Sequence, residues 1–513
     1  MNRETAPIQK KILSVEDAAR IIATERADGR IVVLAHGVFD LLHIGHVRHL
    51  GLARAEGDVL VVSITEDRFV NKGPGRPVFT AHLRAEMLAN LDIVDWVVIN
   101  PAPTAVPVLE ALRPSIYVKG SEYANAEEDV TGKIVDERLV VERHGGRLVF
   151  TDDVVFSSST LINRHLDVYP APLREYLDIA RERDWLNQLT GAIDALADKC
   201  ILLVGDAIID EYQYVETIGK AAKENIIATR YRDKELFAGG VFASANHLAG
   251  FCRQVDVITC LGATDSREDV IRAALKPNVK LHLVYRPDAP TTRKCRFVDP
   301  SYVRKLFEVY FFDDQPLPKP LQAQVDHLIG ELAPQADCVV VNDFGHGLIS
   351  DSTVARLQHS ARFLAVNAQC NAGNNGFNHI TKYPRADYIC IDEPEARLAM
   401  SDKYSDIETL VADKLARRIL CDKIIITRGS DGCLVYDQGN ISHIPAFTKT
   451  VVDTVGAGDS FLCLSASIAA LGAPLELAGF AGNAAGGLKV GIVGHRQSVE
   501  KPQIVKYVTA LLK

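Results

Sequence analysis

The feature that most constrains this fold is a series of short, continuous apolar runs, each followed by a polar or glycine-rich turn. Near the N-terminus of the 513-residue chain the runs are residues 31–35, 59–64, 97–99, 116–118 and 148–150. Successive side chains of a strand point to opposite faces, so a run without alternation indicates a strand buried on both faces. Helical stretches separate the runs. The N-terminal part is therefore predicted to be a Rossmann-like α/β layer with a parallel sheet.

A glycine-rich turn opens a predicted helix near the C-terminus, with the sequence DTVGAGDSF at residues 453–461. The first N–H groups of a helix lack partners within it, and the positive end of the helix dipole adds to their attraction for anions. The turn Gly456, Ala457 and Gly458 is therefore predicted to hold a phosphoryl group during transfer. Asp459 follows at once, where it can accept a proton from an attacking hydroxyl.

This stretch resembles the DTxGAGDxF signature of the ribokinase-like (PfkB) carbohydrate kinases, and the resemblance covers residues 199–513. It implies an α/β/α sandwich with a small β lid, which the β-rich segments 211–237 and 281–312 would supply. It also implies ATP and Mg²⁺ as cofactors, Asp459 as general base, and a homodimer formed through the lid.

The same resemblance assigns further residues of the second half. Those assigned to the sugar, besides Asp459, are Asp206, Asp210, Gly239 and Gly240. Those assigned to the nucleotide are Thr427, Gly429, Gly432, Gly456, Ala457, Gly458 and Asn483. Glu395 is assigned to Mg²⁺ together with Asp392, which replaces the family's Asn and keeps an oxygen ligand for a hard cation. Ala243 and His346 depart from the family's Asn and Lys, so the identity of the sugar stays open.

A second phosphate-binding pattern, GVFDLLHIGHVRHL, occupies residues 37–50 of the N-terminal part. His43 and His46 flank Gly45 where a strand gives way to a helix. Two imidazoles there can hold nucleotide phosphates and donate hydrogen bonds as charge moves to a leaving pyrophosphate. The string resembles the GxFDxxHxGHxxxL motif of the cytidylyltransferase-like nucleotidyltransferases, over residues 28–167.

That resemblance implies catalytic roles for His43, His46 and Lys72, and a nucleotide that is either ATP or CTP. It assigns nucleotide contacts to Gly37, Phe39, Arg76, Arg84, Lys119, Ser158, Ser159 and Thr160. Class I aminoacyl-tRNA synthetases share the HIGH tetrapeptide. The sequence contains no KMSKS-like loop and no basic RNA-binding appendage, and the domain is too short for a synthetase core.

The prolines at 170 and 172 end the first domain, and apolar spacing predicts one or two amphipathic helices in the linker 168–198. A net charge of −9 argues against a nucleic-acid partner. No apolar run reaches 18 residues and no signal-peptide core follows the first methionine, so neither a membrane span nor export is expected. We expect a cytoplasmic enzyme.

Two phosphate-handling domains on one chain predict consecutive steps: phosphorylation of a sugar or sugar phosphate by ATP, then nucleotidyl transfer to a sugar phosphate with release of pyrophosphate. Overall the chain resembles the bifunctional heptose-phosphate kinase/adenylyltransferases that make ADP-heptose, with the domain order reversed. The alternative is a CTP-dependent transferase, fused to a kinase, that makes a CDP-activated polyol or sugar. A third possibility, that one half is a nucleotide- or sugar-sensing module or a structural module that drives assembly, is disfavoured by the complete HxGH and GAGD motifs.

Overall fold

The computed structural model describes residues 8–70, 77–120, 133–151, 169–221, 223–300, 304–448 and 450–512. The chain forms two compact units, one of residues 1–174 with 505–513 and the other of residues 175–504. Within the described ranges, no helix has both the length and the apolar character needed to cross a bilayer.

The first unit contains a six-stranded sheet in the order β1-β4-β3-β2-β5-β6, with every pairing parallel. Its strands are β1 (Ile12–Leu13), β2 (Val32–Gly37), β3 (Val59–Thr65), β4 (Trp96–Asn100), β5 (Ile116–Gly120) and β6 (Arg147–Thr151). Its helices are α1 (Val15–Ala27), α2 (Ile44–Ala55), α3 (Ala81–Ala89), α4 (Val106–Leu112) and α5 (Lys133–Arg143). The predicted Rossmann-like layer is thus confirmed.

The strand order of this sheet reverses at β2. From β2 the chain passes to β3 and β4 on one side, and then crosses to β5 and β6 on the other. In open parallel sheets such a switch leaves a crevice outside the carboxyl ends of the two adjacent strands, and ligands bind there. The segment that follows β2 carries His43 and His46, and β5 carries Lys119.

The second unit is built on a nine-stranded sheet in the order β11-β10-β7-β14-β15-β16-β17-β18-β19. The strands are β7 (Cys200–Gly205), β10 (Gln254–Thr264), β11 (Val279–Pro290), β14 (Cys338–Asp343), β15 (Leu364–Ala368), β16 (Tyr388–Asp392), β17 (Lys423–Thr427), β18 (Cys433–Asp437) and β19 (Asn440–Ile444). Pairings from β11 to β17 are parallel, and β18 and β19 add an antiparallel edge.

A second, four-stranded sheet of this unit, in the order β13-β12-β8-β9, is the lid sheet. It consists of β8 (Ala207–Lys220), β9 (Ile227–Gly240), β12 (Thr292–Asp299) and β13 (Arg304–Phe311). The α/β/α sandwich with a small β lid is therefore confirmed. One detail differs, because residues 281–290 were expected in the lid but belong to β11, which pairs with β10 at the edge of the main sheet.

Helices pack around the main sheet of the second unit. They are α8 (Val241–Ala249), α9 (Glu268–Ala274), α10 (Lys319–Leu332), α11 (Asp351–Ser360), α12 (Glu393–Met400), α13 (Ile407–Thr409), α14 (Ala416–Arg418), α15 (Ala457–Ala470) and α16 (Leu475–Lys489). A π-helical turn, Leu410–Leu415, joins α13 to α14. The last helix of the chain is α17 (Lys501–Leu512).

Two amphipathic helices, α6 (Ala171–Glu182) and α7 (Trp185–Leu196), occupy the segment predicted as a helical linker. Trp185 is 3% exposed and meets the ring of Phe480 at 5.2 Å between centroids. Tyr176 lies against the same ring at 6.4 Å. The sequence left open which domain these helices pack against. In the structure, their aromatic side chains pack within the second unit.

Candidate functional site

The glycine-rich turn has the geometry expected of an anion-binding helix start. Gly456 caps α15 with φ +79°, and a Cβ added there would lie 2.8 Å from Cε1 of His495, so only glycine fits. The amide of Ala457 donates to the carbonyl of Thr454 at 3.2 Å. In the part of the chain that the structure describes, the amides of Gly458 and Asp459 make no backbone hydrogen bond. These two amides are therefore available to an anion, and so is that of Gly456, which makes no backbone hydrogen bond among the described residues either.

Asp459 lies half-buried in the first turn of α15. Burial raises the pKa of its carboxyl group, while His495 and Lys489 oppose the rise. A raised pKa brings a carboxylate closer to the range in which it accepts a proton near neutrality. Position and electrostatics both suit a general base.

Asp210 and Gly239, both predicted sugar contacts, lie in direct contact on the paired strands β8 and β9. A Cβ at Gly239 would lie 1.9 Å from Oδ2 of Asp210, so glycine is required for this approach. Asp210 is ion-paired with Arg296, and its Oδ2 atom lies 3.2 Å from Nε2 of His495. Burial acts to raise the pKa of Asp210, but Arg296 and His495 together hold it well below its usual value.

The carboxylate of Asp206, another predicted sugar contact, is turned toward backbone. It accepts from the amides of Phe344 at 2.9 Å, His346 at 3.4 Å and Leu348 at 3.4 Å. A Cβ at Gly240, whose φ is +54°, would lie 2.8 Å from the Asp206 carbonyl oxygen. Asp206 thus holds the loop after β14 in place, and any contact with a sugar stays a prediction.

Asp392 and Glu395, the predicted Mg²⁺ ligands, form a reciprocal cap at the start of α12. Glu395 N donates to Asp392 Oδ1 at 2.7 Å, and Asp392 N donates to Glu395 Oε2 at 2.8 Å. Cys370 N donates to Glu395 Oε1 at 3.1 Å. Burial, the charge of Asp392 and, more weakly, that of Asp459 raise the pKa of Glu395 to about 8.

These two carboxylates fit a magnesium ion that is shared with a nucleotide. Across the described ranges, no set of three or more His, Cys, Asp or Glu side chains could hold a metal by itself. Mg²⁺ is usually bound through one or two carboxylates together with substrate phosphates and waters. A nearby cation would also relieve the repulsion that raises the pKa of Glu395.

The four predicted base and ribose contacts lie at the end of β17, in the turn that follows it and on α16. Gly432 has φ +85°, and a Cβ there would lie 1.9 Å from the carbonyl oxygen of Ile444. Asn483 Nδ2 donates to the next carbonyl, that of Pro445, at 2.7 Å. Thr427 is the last residue of β17, and Gly429 has φ +56° with open space where a Cβ would be.

In the first unit, His43 and His46 are brought together at the start of α2. Their rings stack at 3.9 Å between centroids, and His43 Nδ1 accepts from Gly45 N at 3.2 Å. Phe39, with φ 49°, meets the edge of His46 at 5.2 Å. Gly37 allows this arrangement, because a Cβ there would lie 3.1 Å from the Phe39 ring.

Lys119 and Arg84 are both buried and engaged with protein groups. Lys119 Nζ lies 3.1 Å from Glu137 Oε2. The guanidinium of Arg84 donates to the carbonyls of Val38, Phe79 at 3.0 Å and Thr65 at 2.8 Å, and pairs with Asp67 at 2.6 Å. Arg84 therefore ties the ends of β2 and β3 together. The predicted contacts Lys72, Arg76, Ser158, Ser159 and Thr160 lie outside the described residues.

The structure adds basic residues that the sequence argument missed. Lys294 and Arg296 alternate along β12 and share the face that carries Asp210 on β8. Lys294 is 5% exposed, and among the described residues its ammonium makes no hydrogen bond or ion pair, although it lies over the ring of Tyr310 at 5.3 Å. Period-two placement of Lys and Arg in TRKCRF was the available signal, whereas nothing in the sequence marked His495.

Comparison with known proteins assigns the two parts of the chain to two different families. Residues 198–502 match the model of the pfkB family carbohydrate kinases. Because the match spans more than half of the chain, the chain belongs to the pfkB family of carbohydrate kinases. Residues 34–165 match a second family model, described as cytidylyltransferase-like.

Curated relatives match over a limited stretch. The bifunctional protein HldE of Syntrophotalea carbinolica is 40% identical over 162 residues, which is 31% of this chain and 32% of the relative. HldE of Geobacter sulfurreducens gives the same values. The chain thus spans about a third of the length of these relatives. Phosphofructokinase-2 from Escherichia coli has a TM-score of 0.50 at 16% identity, over 62% of this chain and 100% of that one, which shows the fold alone.

The buried position of Asp206 predicts a specific pH dependence. Burial and the charge of Asp343 raise the pKa of Asp206 from 3.8 to about 6. When the pKa of a carboxyl is higher in the folded than in the unfolded state, its contribution to stability is fully present at pH values below the unfolded-state pKa. The contribution is lost as the pH rises through the folded-state pKa. We expect the wild type to lose stability relative to Asp206→Asn between pH 3.8 and about 6, by at most about 1.4 kcal/mol per pH unit.

The measurement is urea unfolding of both proteins across this pH range. Asp413→Asn is the matched control, since Asp413 is exposed and forms only a surface ion pair with Arg417. Its profile should run parallel to that of the wild type. Parallel profiles for Asp206→Asn and the wild type would contradict the burial of a raised-pKa carboxyl here.

Proposed function

We propose that the chain is a bifunctional enzyme, a carbohydrate kinase joined to a nucleotidyltransferase. The kinase half, residues 199–513, transfers the γ-phosphoryl group of ATP to a hydroxyl of a sugar or sugar phosphate. The transferase half, residues 28–167, transfers a nucleotidyl group to a sugar phosphate and releases pyrophosphate. The helical segment 168–198 joins them along the chain.

The observation that carries the kinase proposal is Asp459 at a helix start whose amides are open to an anion. The carboxylate of Asp459 takes the proton of the attacking hydroxyl, and the amides of Gly458 and Asp459 stabilise the charge on the transferred phosphoryl group. Asp392 and Glu395 would hold Mg²⁺, which neutralises the phosphate oxygens of ATP. Thr427, Gly429, Gly432 and Asn483 are the proposed contacts of the base and ribose.

An anionic acceptor is favoured by the basic face of β12. Lys294 is buried with no ion pair among the described residues, and a buried ammonium without an anion is unfavourable. The phosphate of a sugar phosphate would supply that anion. We therefore propose a sugar phosphate as acceptor, with Asp206, Asp210, Gly239 and Gly240 as the remaining sugar contacts.

The transferase proposal rests on the stacked pair His43 and His46 at the carboxyl edge of β2. A sugar phosphate attacks the α-phosphate of the nucleotide, and the two imidazoles donate to the phosphates as pyrophosphate leaves. Lys119 lies on the adjacent β5 on the other side of the switch point. Lys72 would neutralise further charge. The similarity to HldE proteins favours ADP-heptose or a similar nucleotide-activated sugar as product.

A substrate panel tests the acceptor. Sugars and sugar phosphates, heptose 7-phosphate included, are incubated with ATP or CTP, and the products are identified by mass spectrometry. We expect phosphorylated acceptors to be preferred, and Lys294→Met to raise their KM by about 10–100-fold, since a hydrogen bond to a charged group contributes about 1.5–3 kcal/mol. Lys234→Met, an exposed lysine of the same lid sheet, is the control. An equal effect of Lys294→Met on neutral sugars would refute the phosphate contact, and CTP-dependent products would favour the CDP alternative.

Reciprocal variants test the two activities on one chain. Asp459→Asn should reduce ATP-dependent phosphorylation of the acceptor by roughly 10²–10⁴-fold, the usual contribution of a general base. It should leave pyrophosphate release unchanged. His43→Ala should show the opposite pattern, with pyrophosphate release reduced by roughly 10²–10³-fold through loss of a charge-stabilising donor.

Each variant is thus the folding control of the other. Retained phosphorylation in Asp459→Asn would remove the kinase mechanism, and retained pyrophosphate release in His43→Ala would remove the transferase mechanism.

We further propose that the lid sheet pairs with a second copy of the chain. Phe307, Val309 and Phe311 alternate along β13 and are 52%, 39% and 43% exposed. β13 is the edge strand of the lid sheet, and an edge strand with apolar side chains is suited to pairing with another chain. Sedimentation equilibrium should give a dimer for the wild type and a lighter species for Phe307→Glu. Tyr404→Glu, at a side chain 89% exposed outside the lid, is the control. A monomeric wild type would disprove the pairing.

A further inference from the structure

Lys489, the last residue of α16, is a fully buried lysine whose ammonium is bound by backbone oxygens. Its side chain is 0% exposed. Nζ donates to the carbonyl of Val455 at 2.8 Å and to the carbonyl of Gly494 at 2.7 Å. The Val455 carbonyl immediately precedes Gly456, and the Lys489 Cε atom lies 3.2 Å from where a Cβ of Gly456 would be. The ammonium therefore sits directly behind the anion-binding turn.

The same two segments are joined a second time by a carboxylate. Asp453 accepts from Gly494 N at 2.8 Å and from Val455 N at 3.1 Å. Lys489 thus binds the carbonyl oxygens of Val455 and Gly494, and Asp453 binds the amide groups of the same two residues. Neither contact would form from a helix start alone, because Lys489 and Gly494 lie more than thirty residues further along the chain.

The charges around Lys489 keep it protonated. Burial lowers the pKa of its ammonium to about 8, and the carboxylates of Asp453, Asp459 and Asp210 limit the decrease, while Lys305 adds to it. His495 also packs against Gly456 on this side. Near neutral pH the group is a cation in a site formed by carbonyl oxygens with carboxylates behind them.

We propose that the Lys489 ammonium is a built-in monovalent cation that positions the anion-binding turn for phosphoryl transfer. A K⁺ or NH₄⁺ ion bound by backbone carbonyls meets the same chemistry. Here the ion is covalently attached, so the kinase half has no need of a free one. Lys489 is a positioning residue, because it acts on the phosphoryl group through the Val455–Gly456 peptide and its own positive charge. The inference rests on the proposed kinase function.

A purely structural lysine would fill the core with its methylene stem, and its charge would be incidental. The structural role and the positioning role differ in whether an added cation can restore the activity of a Lys489 variant. Lys489→Ala removes the stem and the charge, leaving room for an ion between the two carbonyls. Lys489→Met fills the same space without charge and leaves no room. Only the positional role of the charge predicts that K⁺ and NH₄⁺ restore the alanine variant and not the methionine variant.

The first measurement uses the wild type alone. Its phosphorylation rate with ATP and its thermal midpoint should be the same in potassium, ammonium and tetramethylammonium chloride at equal ionic strength. A wild type that requires K⁺ or NH₄⁺ would overturn the proposal, whether or not any variant folds. If no acceptor of the substrate panel is phosphorylated in any salt, the proposed kinase function fails. The thermal midpoints still test the cation site in that case.

The second measurement compares variants. Without K⁺ and NH₄⁺, Lys489→Ala should lose roughly 10²-fold in kcat, the lower end of what removal of one charge-stabilising donor costs. K⁺ and NH₄⁺ should restore most of it and raise the thermal midpoint of Lys489→Ala, because an ion that binds only the folded state stabilises it. Tetramethylammonium should do neither. Lys489→Met should stay impaired in all three salts.

Lys501→Ala, which removes an exposed ion pair with Asp194, is the matched control and should behave as the wild type. Full activity of Lys489→Met, or equal behaviour of Lys489→Ala in all salts, would overturn the positional role of the charge.

Discussion

The carboxylate of Asp453 holds the lid sheet and the glycine-rich turn of the second unit in one arrangement. It is 3% exposed and accepts from Tyr212 on β8 at 2.7 Å, as well as from Lys305 on β13 at 2.7 Å. Its two remaining donors are the amides of Val455 and Gly494. Burial acts to raise the pKa of Asp453, but these donors lower it to about 2. Because two of these four donors come from the lid sheet and two from the turn and the loop around Gly494, a shift of the lid relative to the turn would break hydrogen bonds to a buried carboxylate.

Around this centre the kinase unit collects buried acids on the carboxyl edge of its parallel sheet. Asp206 lies near Asp343, and Asp392 lies near Glu395, and in each case burial and a like charge raise a pKa. Such sites favour cations. Lys382, which pairs with Asp343, supplies one from the chain itself at the first pair. Mg²⁺ brought with the nucleotide would supply another at Asp392 and Glu395.

Much of the local architecture could be predicted from residue types. Continuous apolar runs predicted the parallel strands, because a strand buried on both faces has no polar positions to alternate. Gly239, Gly432 and Gly456 were identified from motifs, and the structure gives their physical reason: a Cβ at each would collide with a carboxylate, a carbonyl oxygen or an imidazole. The β-rich segment 281–312 was assigned to one sheet although its first part pairs in another. Strand propensity depends on neighbouring residues, whereas the choice of a partner strand depends on the rest of the fold.

The sequence by itself determined which elements form and where phosphate-binding turns can occur, since helix starts, glycine turns and buried strands depend on neighbouring residues. Only the tertiary structure decided what the polar side chains bind. Asp206 faces three loop amides 138 to 142 residues away, and Arg84 reaches Val38 across 46 residues. Asp210 meets Arg296 across 86 residues, and Lys489 contacts the glycine-rich turn 34 residues earlier in the chain. A buried charge takes its partner from whichever segment the packing brings next to it. That choice is made by the whole fold, and no spacing along the chain records it.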